Sequence, residues 1–269
     1  EQSMSFGGIQ TFSVYAKAGT LNWIRMRGSS NTYFDLANGV IGADGHIDSK
    51  IESIGNGWYR CSVVTETSTL ARIYLATDDG NVTQSSGSIY IQDAQLEQGL
   101  VATEYIESGA TTGKAGILED SPRFDYSGGA SCPSLLLEPS RTNLISQSEY
   151  FTALNSGSVV VNDSLSPEGL QNANKIIFGA SVNDGATMNL SASCSGNTQY
   201  TWSAYVKNIS GTGVFNLRID TDTTTILVNQ DITATSEWTR VSHTFTTDAS
   251  ATSFGSNSRY RSKADGNEI

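Results

Sequence analysis

Apolar residues recur at every second position in short runs along this chain, which is the pattern of β-strands with one buried face. In residues 11–17, Phe12, Val14 and Ala16 fall on one face while a serine, a tyrosine and a lysine fall on the other. The same alternation assigns further residues to the core: Ile24, Met26, Phe34, Leu36, Ile73, Leu75, Trp202, Ala204 and Val206. No long stripe with a helical period appears. The pattern therefore predicts an all-β protein of antiparallel sheets packed as sandwiches.

A block of sequence occurs twice. Residues 11–17 (TFSVYAK) recur as residues 201–207 (TWSAYVK), and the Trp-Tyr-Arg of 58–60 recurs as the Trp-Thr-Arg of 238–240. Between these markers both copies contain two further strand-like runs. The common order predicts two tandem sandwich domains of one kind, with Tyr15 equivalent to Tyr205 and Trp58 equivalent to Trp238.

The repeat suggests the division of the chain. Residues 1–108 are predicted to form the first sandwich, 109–139 a structured connector, 140–255 the second sandwich and 256–269 a polar tail. The connector contains a strand-like run at 123–126 and three leucines at 135–137, which we expect to pack against a domain. The end of the chain is polar and has no period, and for that reason it is predicted to fray.

Charge restricts the partners. Twenty-seven acidic and sixteen basic residues give a net charge of −11, a field that repels nucleic acid. No apolar run is long enough to suggest insertion into a membrane. The three cysteines lie far apart and do not form a zinc motif. We expect neither nucleic acid nor a membrane as a partner.

No set of residues predicts catalysis. His46 and His243 lie in different copies of the repeat, and the sequence contains no metalloprotease, serine-hydrolase or phosphate-loop motif. The acidic pairs 78–79 and 220–222 are candidates for glycosidase carboxylates, but turns explain both. The chain is predicted to have no catalytic residue and not to be an enzyme.

The outward face of the first sandwich is the candidate binding surface. If its strands are neighbours, the residues that alternate with the core share one face: Trp23, Arg25, Arg27, Tyr33, Asp35, Arg72 and Tyr74. Aromatic rings suit the apolar faces of sugars, and arginine suits carboxylates or sulfates. A glycan site and a subunit interface explain this set equally well.

The second half of the first copy resembles a known module. Residues 57–60 (GWYR), 89–99 (IYIQDAQLEQG) and 102–106 (ATEYI), together with the connector sequence PRFDY…LLLEPSRTNL, resemble jelly-roll domains similar to carbohydrate-binding modules. Such domains recur in bacteriophage tail-fibre, tailspike and head-fibre proteins. Compared with them, the first copy lacks an opening strand, which the second has at 143–151, and the second lacks the closing strand of 94–97.

This resemblance implies a non-enzymatic virion protein of a phage fibre or appendage, outside the cell, that self-associates, contacts other virion proteins and attaches to glycans of the bacterial surface. It also implies a structural Ca²⁺, with Asp93 and Glu149 as candidate ligands in the two copies. Two alternatives remain open. The chain is the glycan-binding region of a polysaccharide lyase or glycoside hydrolase, or it is a purely architectural virion protein.

Overall fold

The computed structural model describes residues 2–3, 8–66, 68, 70–83, 86–108, 124–125, 134–135, 142–145, 147–188, 190, 192–223, 225–255 and 258–262. These residues form strands and turns, and none of them belongs to a helix that could cross a membrane. The chain divides into two compact units, Glu1–Ala102 with Leu144–Ile269, and Thr103–Asn143. The prediction of an all-β fold with tandem β-sandwiches is confirmed.

In the described part of the first sandwich there are nine strands: β1 Gln2–Ser3, β2 Gln10–Ala18, β3 Trp23–Arg27, β4 Asn31–Asp35, β5 Val40–Asp44, β6 Asp48–Gly55, β7 Trp58–Thr65, β8 Leu70–Ala76 and β9 Ile89–Gln98. One sheet has the order β1-β8-β3-β4-β5 and the other β6-β7-β2-β9. The core between the sheets contains the residues that the alternation selected in this copy except Leu75, which is only partly buried; Ala16, Ile24, Met26 and Phe34 are completely buried.

The second sandwich contains β12 Thr152–Leu154, β13 Ser158–Ser164, β14 Ala173–Ile177, β15 Gly185–Thr187, β16 Gln199–Val206, β17 Val214–Asp220, β18 Ile226–Thr233, β19 Thr239–Thr246 and β20 Arg259–Ser262. Its larger sheet has the order β12-β15-β20-β17-β18, and the hairpins β13–β14 and β16–β19 complete it. Phe178, Phe215 and Leu217 lie at the centre of its core.

The strand registers confirm the predicted equivalence of Tyr15 with Tyr205. Tyr15 on β2 pairs with Arg60 on β7, and Tyr205 on β16 pairs with Arg240 on β19. In both copies that arginine also donates to a serine on the neighbouring strand, Ser13 at 3.4 Å in the first and Ser203 at 3.0 Å in the second. Equivalent backbone pairs with equivalent side-chain bonds are expected of one ancestral sandwich used twice.

The prediction of a polar tail at 256–269 is wrong for residues 259–262. Strand β20 lies inside the larger sheet, between β15 and β17, and Tyr260 is buried in the core. Only one residue of this strand is a large apolar one, so the sequence shows no alternation there. The two flanking strands order it by supplying backbone hydrogen-bond partners on both sides. Residues 263–269 lie outside the described part of the chain.

The structure differs from the prediction of missing strands in both copies. The proposed opening strand of the second copy is a turn at 147–149, and the first strand begins at Thr152. In the first copy the short β1 pairs with the edge of β8, so this chain partly covers its own edge. Within the described residues β16 pairs only with β19, whereas its equivalent β2 also pairs with β9.

The unit Thr103–Asn143 contains the only two short strands described in the connector. These are β10, Phe124–Asp125, and β11, Ser134–Leu135, which pair antiparallel. The strand predicted at 123–126 is therefore present as β10. Leu136 and Leu137, predicted to pack against a domain, lie outside the described residues.

Side chains from both sandwiches meet within the larger unit. Ile9, Val64 and Leu100 of the first form a small apolar cluster to which Val161 of the second belongs. Beside it the buried Asn162, at a bulge of β13 with φ of 55°, donates from Nδ2 to Asp48 Oδ2 at 2.8 Å and to the Leu100 carbonyl at 2.9 Å. The junction therefore combines apolar contact with specific hydrogen bonds.

Candidate functional site

The structure brings the seven predicted face residues onto one side of the sheet β8-β3-β4. Arg25 at the centre of β3 pairs with Tyr74 on β8 and Tyr33 on β4. The pairs of Trp23 with Asp35, and of Arg27 with Arg72, lie on either side in the same register. These residues share a face because Ile24 and Met26, which alternate with them, are completely buried in the core.

Arg25 and Tyr74 form the centre of this face. The Arg25 guanidinium carbon lies 3.9 Å from the centroid of the Tyr74 ring, which is the geometry of a cation–π contact. Arg72 donates from Nη1 to the Tyr74 hydroxyl at 3.2 Å. This bond, with a further one from Arg27, lowers the pKa of Tyr74. We call Arg25, Arg27, Arg72 and Tyr74 the arginine–tyrosine face.

Two arginines of the arginine–tyrosine face have no carboxylate partner within the described residues. Neither Arg25 nor Arg27 forms an ion pair with a carboxylate among the described residues, and the buried Nε of Arg25 has no hydrogen-bond acceptor there. A buried N–H without an acceptor costs about 1–3 kcal/mol. The arrangement is thus suited to a ligand that carries an oxyanion.

Three of the predicted residues have other roles. Tyr33 is only 8% exposed, so the expectation that its ring stands free for a ligand is wrong. Asp35 Oδ1 accepts the backbone N–H groups of Ala37 and Asn38 at 2.9 and 3.2 Å, and therefore caps the β4–β5 turn. Trp23 is half-buried and packs against Gly42, where an added Cβ would lie 2.8 Å from its ring.

The equivalent face of the second sandwich contains arginines that the sequence interpretation missed. Arg259 and Arg261 on β20 lie beside Arg218 and Asn216 of β17. The sequence gives little signal here, because two arginines flank the single buried Tyr260. An alignment of residues 259–262 with β8 of the first copy would have identified them as a strand.

The two predicted calcium ligands lie in different sandwiches, as candidates for one site in each. Asp93 lies at a bulge of β9 with φ of 50° and accepts a hydrogen bond from Gln92 at 2.9 Å. Glu149 accepts from Asn172 at 3.3 Å, and burial and the nearby Glu168 raise its pKa. Within the described ranges no three His, Cys, Asp or Glu side chains form a group suited to a metal ion. Ca²⁺ takes about six to eight oxygen ligands, and no group of described acidic side chains supplies them at Asp93 or Glu149, so calcium binding stays a prediction.

His46 lies between β5 and β6 and has a structural role there, because it also binds the turn between β3 and β4. Its Nδ1 lies 2.6 Å from Thr32 Oγ1, which donates to Asp44 Oδ1 at 2.6 Å, and its Nε2 accepts the Gly28 N–H at 3.3 Å. Burial lowers the pKa of His46 despite the nearby Asp44 carboxylate. These bonds require the neutral ring with its proton on Nδ1.

The acidic pairs considered for catalysis are also engaged in structure. Asp79 Oδ1 accepts the Ala43 N–H at 2.7 Å, and Asp220 Oδ2 forms an ion pair with Arg218 at 2.8 Å. Asp222 accepts hydrogen bonds from Thr252, which lower its pKa. Each of these carboxylates thus holds a turn or a strand.

No protein-family model matches this chain, and no curated protein matches it. Among solved structures it is similar to the CBM22-1–GH10 modules of Clostridium thermocellum endo-1,4-beta-D-xylanase 10B complexed with xylohexaose, with 20% identity and a TM-score of 0.27 over 45% of this chain and 26% of that one. It is also similar to the CBM22-1–CBM22-2 tandem domain of Paenibacillus barcinonensis Xyn10C, with 10% identity and a TM-score of 0.26 over 97% of this chain and 70% of that one. The chain thus spans about a quarter of the xylanase chain. At these scores the fold assignment rests on the strand pairing described above.

Proposed function

We propose that this chain is a non-enzymatic glycan-binding protein whose first sandwich binds an acidic saccharide on the arginine–tyrosine face. The observation that carries the proposal is the Arg25 guanidinium, stacked 3.9 Å from the Tyr74 ring and without a carboxylate partner among the described residues. Arg27 and Arg72 lie next to it in register. Three adjacent guanidinium groups on a chain of net charge −11 form a local positive field.

The chemistry of the face favours carboxylated or sulfated sugars over neutral ones. A guanidinium binds a carboxylate or sulfate through two parallel N–H···O bonds, which are stronger than bonds between neutral groups. The half-buried Tyr74 is already oriented by Arg25 and Arg72, so little side-chain entropy is lost on binding. Added salt should weaken binding because it screens exposed charges.

Arg25→Gln tests the proposal, because it removes the charge and keeps most of the side-chain length. We expect the affinity for a uronic-acid or sulfated oligosaccharide to fall about 10- to 100-fold, the value of one or two hydrogen bonds to a charged group. Arg240→Gln is the matched control, since it removes the same charge from an exposed position in the other sandwich. Calorimetric titration of both variants gives the comparison.

The outcomes separate ligand binding from assembly. If Arg25→Gln folds, keeps the parent's oligomeric mass and binds as tightly as Arg240→Gln, the arginine–tyrosine face is not the site. If Arg25→Gln changes the oligomeric mass and the parent binds none of the saccharides tested, the face is a subunit interface, and the chain has an architectural role.

The proposed setting is a phage fibre or appendage, and its support is the sequence resemblance described above. This setting makes the protein an extracellular virion component that self-associates and contacts other virion proteins. Sedimentation mass of the purified chain and immunogold labelling of virions test it. A stable monomer that no virion contains would contradict this setting without affecting the glycan proposal.

An alternative setting is the glycan-binding region of a polysaccharide lyase or glycoside hydrolase, because jelly-roll modules like those that this sequence resembles also accompany such enzymes. Neighbouring genes for carbohydrate degradation rather than for capsid and tail would favour it. In either setting we propose no catalysis by this chain. Release of reducing ends from a panel of polysaccharides, abolished by a substitution in this chain, would contradict that.

A further inference from the structure

The second sandwich presents its own cluster of arginines on the outer face of its larger sheet. Strand β17 lies between β20 and β18, and Arg218 at its centre pairs with Arg259 on one side and Asn229 on the other. Two residues before Arg218 on β17, Asn216 pairs with Arg261. We call these residues the second arginine face: Asn216, Arg218, Asn229, Arg259 and Arg261.

Hydrogen bonds fix two of the three guanidinium groups. Arg261 crosses over β17, donating from Nε to Asn216 Oδ1 at 2.7 Å and from Nη2 to Asn229 Oδ1 at 2.8 Å. Arg218 donates from Nε and Nη2 to Asp220 Oδ2, at 3.0 and 2.8 Å. These side chains are held in place before any ligand arrives.

Arg259 is the exception. Among the described residues it has neither a hydrogen bond nor an ion pair, and its Nε is buried without an acceptor. Its pair across the sheet is another arginine, and directly opposed like charges destabilise a sheet. Burial and the charge of Arg218 both lower the pKa of Arg259, although Asp220 acts in the opposite direction.

The carboxylates within the described ranges do not neutralise this cluster fully. Asp220 and Asp231 are the acidic side chains bonded within it, against three guanidinium groups. The Asp220 carboxylate is engaged by Arg218 and its side chain is only 3% exposed. Arg259 and Arg261 are each partly exposed, so this face is open to solvent.

We propose that the second arginine face is a second oxyanion site, which takes a carboxylate or sulfate group of a saccharide between Arg259 and Arg261. The anion would accept the free N–H of Arg259 and relieve its repulsion with Arg218. Arg261, already oriented by two asparagines, would supply further donors. This site lies in the other sandwich and does not depend on the arginine–tyrosine face.

Arg259→Gln tests the site, with Arg25→Gln and Arg240→Gln measured in parallel. The probes are a glucuronic-acid oligosaccharide, a sulfated oligosaccharide and inorganic sulfate. We expect the parent to show two sites by calorimetric titration with one of the saccharides, and Arg259→Gln to lose one of them or weaken it about 10- to 100-fold. The Nε–H resonance of Arg259 should shift on titration, while the Arg240→Gln variant should titrate like the parent.

The variants distinguish failure of this proposal from failure of the proposed function. Loss of one site in Arg25→Gln alone, with Arg259→Gln matching Arg240→Gln, would overturn the second site and leave the first. The reverse pattern would overturn the first and support the second. Inorganic sulfate that binds at Arg259 as tightly as the sulfated saccharide would overturn the assignment to a saccharide. Arg259→Lys, which retains the charge, should restore part of the affinity if an anion binds there.

Discussion

Replacement of Tyr260 by alanine should strongly destabilise the second sandwich. The ring is 5% exposed, and its centroid lies 5.6 Å from that of Phe151, 5.9 Å from Trp202 and 5.9 Å from Phe215. Truncation of a large aromatic residue in a packed core costs about 3–5 kcal/mol, through lost burial and the cavity that remains. The edge-on ring contacts contribute roughly 0.5–1.5 kcal/mol each to such losses.

Scanning calorimetry gives the measurement. For a domain of roughly this size each kcal/mol lowers the Tm by about 4 °C, so the transition of the second sandwich should fall by about 10–20 °C. The first sandwich has a separate core, and its transition should remain where it is in the parent. Tyr260→Phe keeps the ring and should lose about 1 kcal/mol or less. A Tyr260→Ala transition within about 2 °C of the parent would refute the placement of β20 in the core.

Three further changes test the turn, the junction and the face. Burial lowers the pKa of His46 in the folded protein, so the contribution of its neutral ring to stability is full above the ordinary pKa of 6.5 and is lost as the pH falls below that value. His46→Gln should flatten this pH dependence in urea unfolding, and an unchanged slope would contradict the prediction. Asn162→Gly keeps the positive φ but removes two hydrogen bonds, so the free energy of unfolding should fall by about 1–3 kcal/mol. Asn162→Ala also adds backbone strain and should be less stable than the glycine variant in the same unfolding assay. Asp35→Ala should lose about 1–2 kcal/mol with the turn cap, yet it should bind acidic saccharide at least as tightly, and weaker binding would place Asp35 in the site.

Much of the first sandwich was predictable from alternation alone. Phe12, Val14 and Ala16 are buried as predicted, and so are Ile24 and Met26. In a strand with one buried face, side chains of alternate residues point in opposite directions, so the apolar set identifies the outward set as well. The repeat added information about register, because equivalent strands in two copies must pair in the same way.

Only the tertiary structure decided which outward residues are available to a ligand. Tyr33 lies on the predicted outward face but is buried, and Asp35 lies on the same face but caps a turn. The cap is a local interaction within residues 35–38, whereas the burial of Tyr33 arises only in the folded sheet, and periodicity within a single strand indicates neither. The stack of Arg25 on Tyr74 likewise joins two strands that are nearly fifty residues apart in the sequence.

The end of the chain marks the limit of what the sequence determined. Residues 259–262 are too few and too polar to display a period, so the sequence by itself indicated a tail. Their structure comes from β15 and β17, which bond to both edges of the strand and bury its one aromatic ring. Because those partners are more than 70 and about 45 residues earlier in the chain, only the folded sheet places Arg259 and Arg261 beside Arg218.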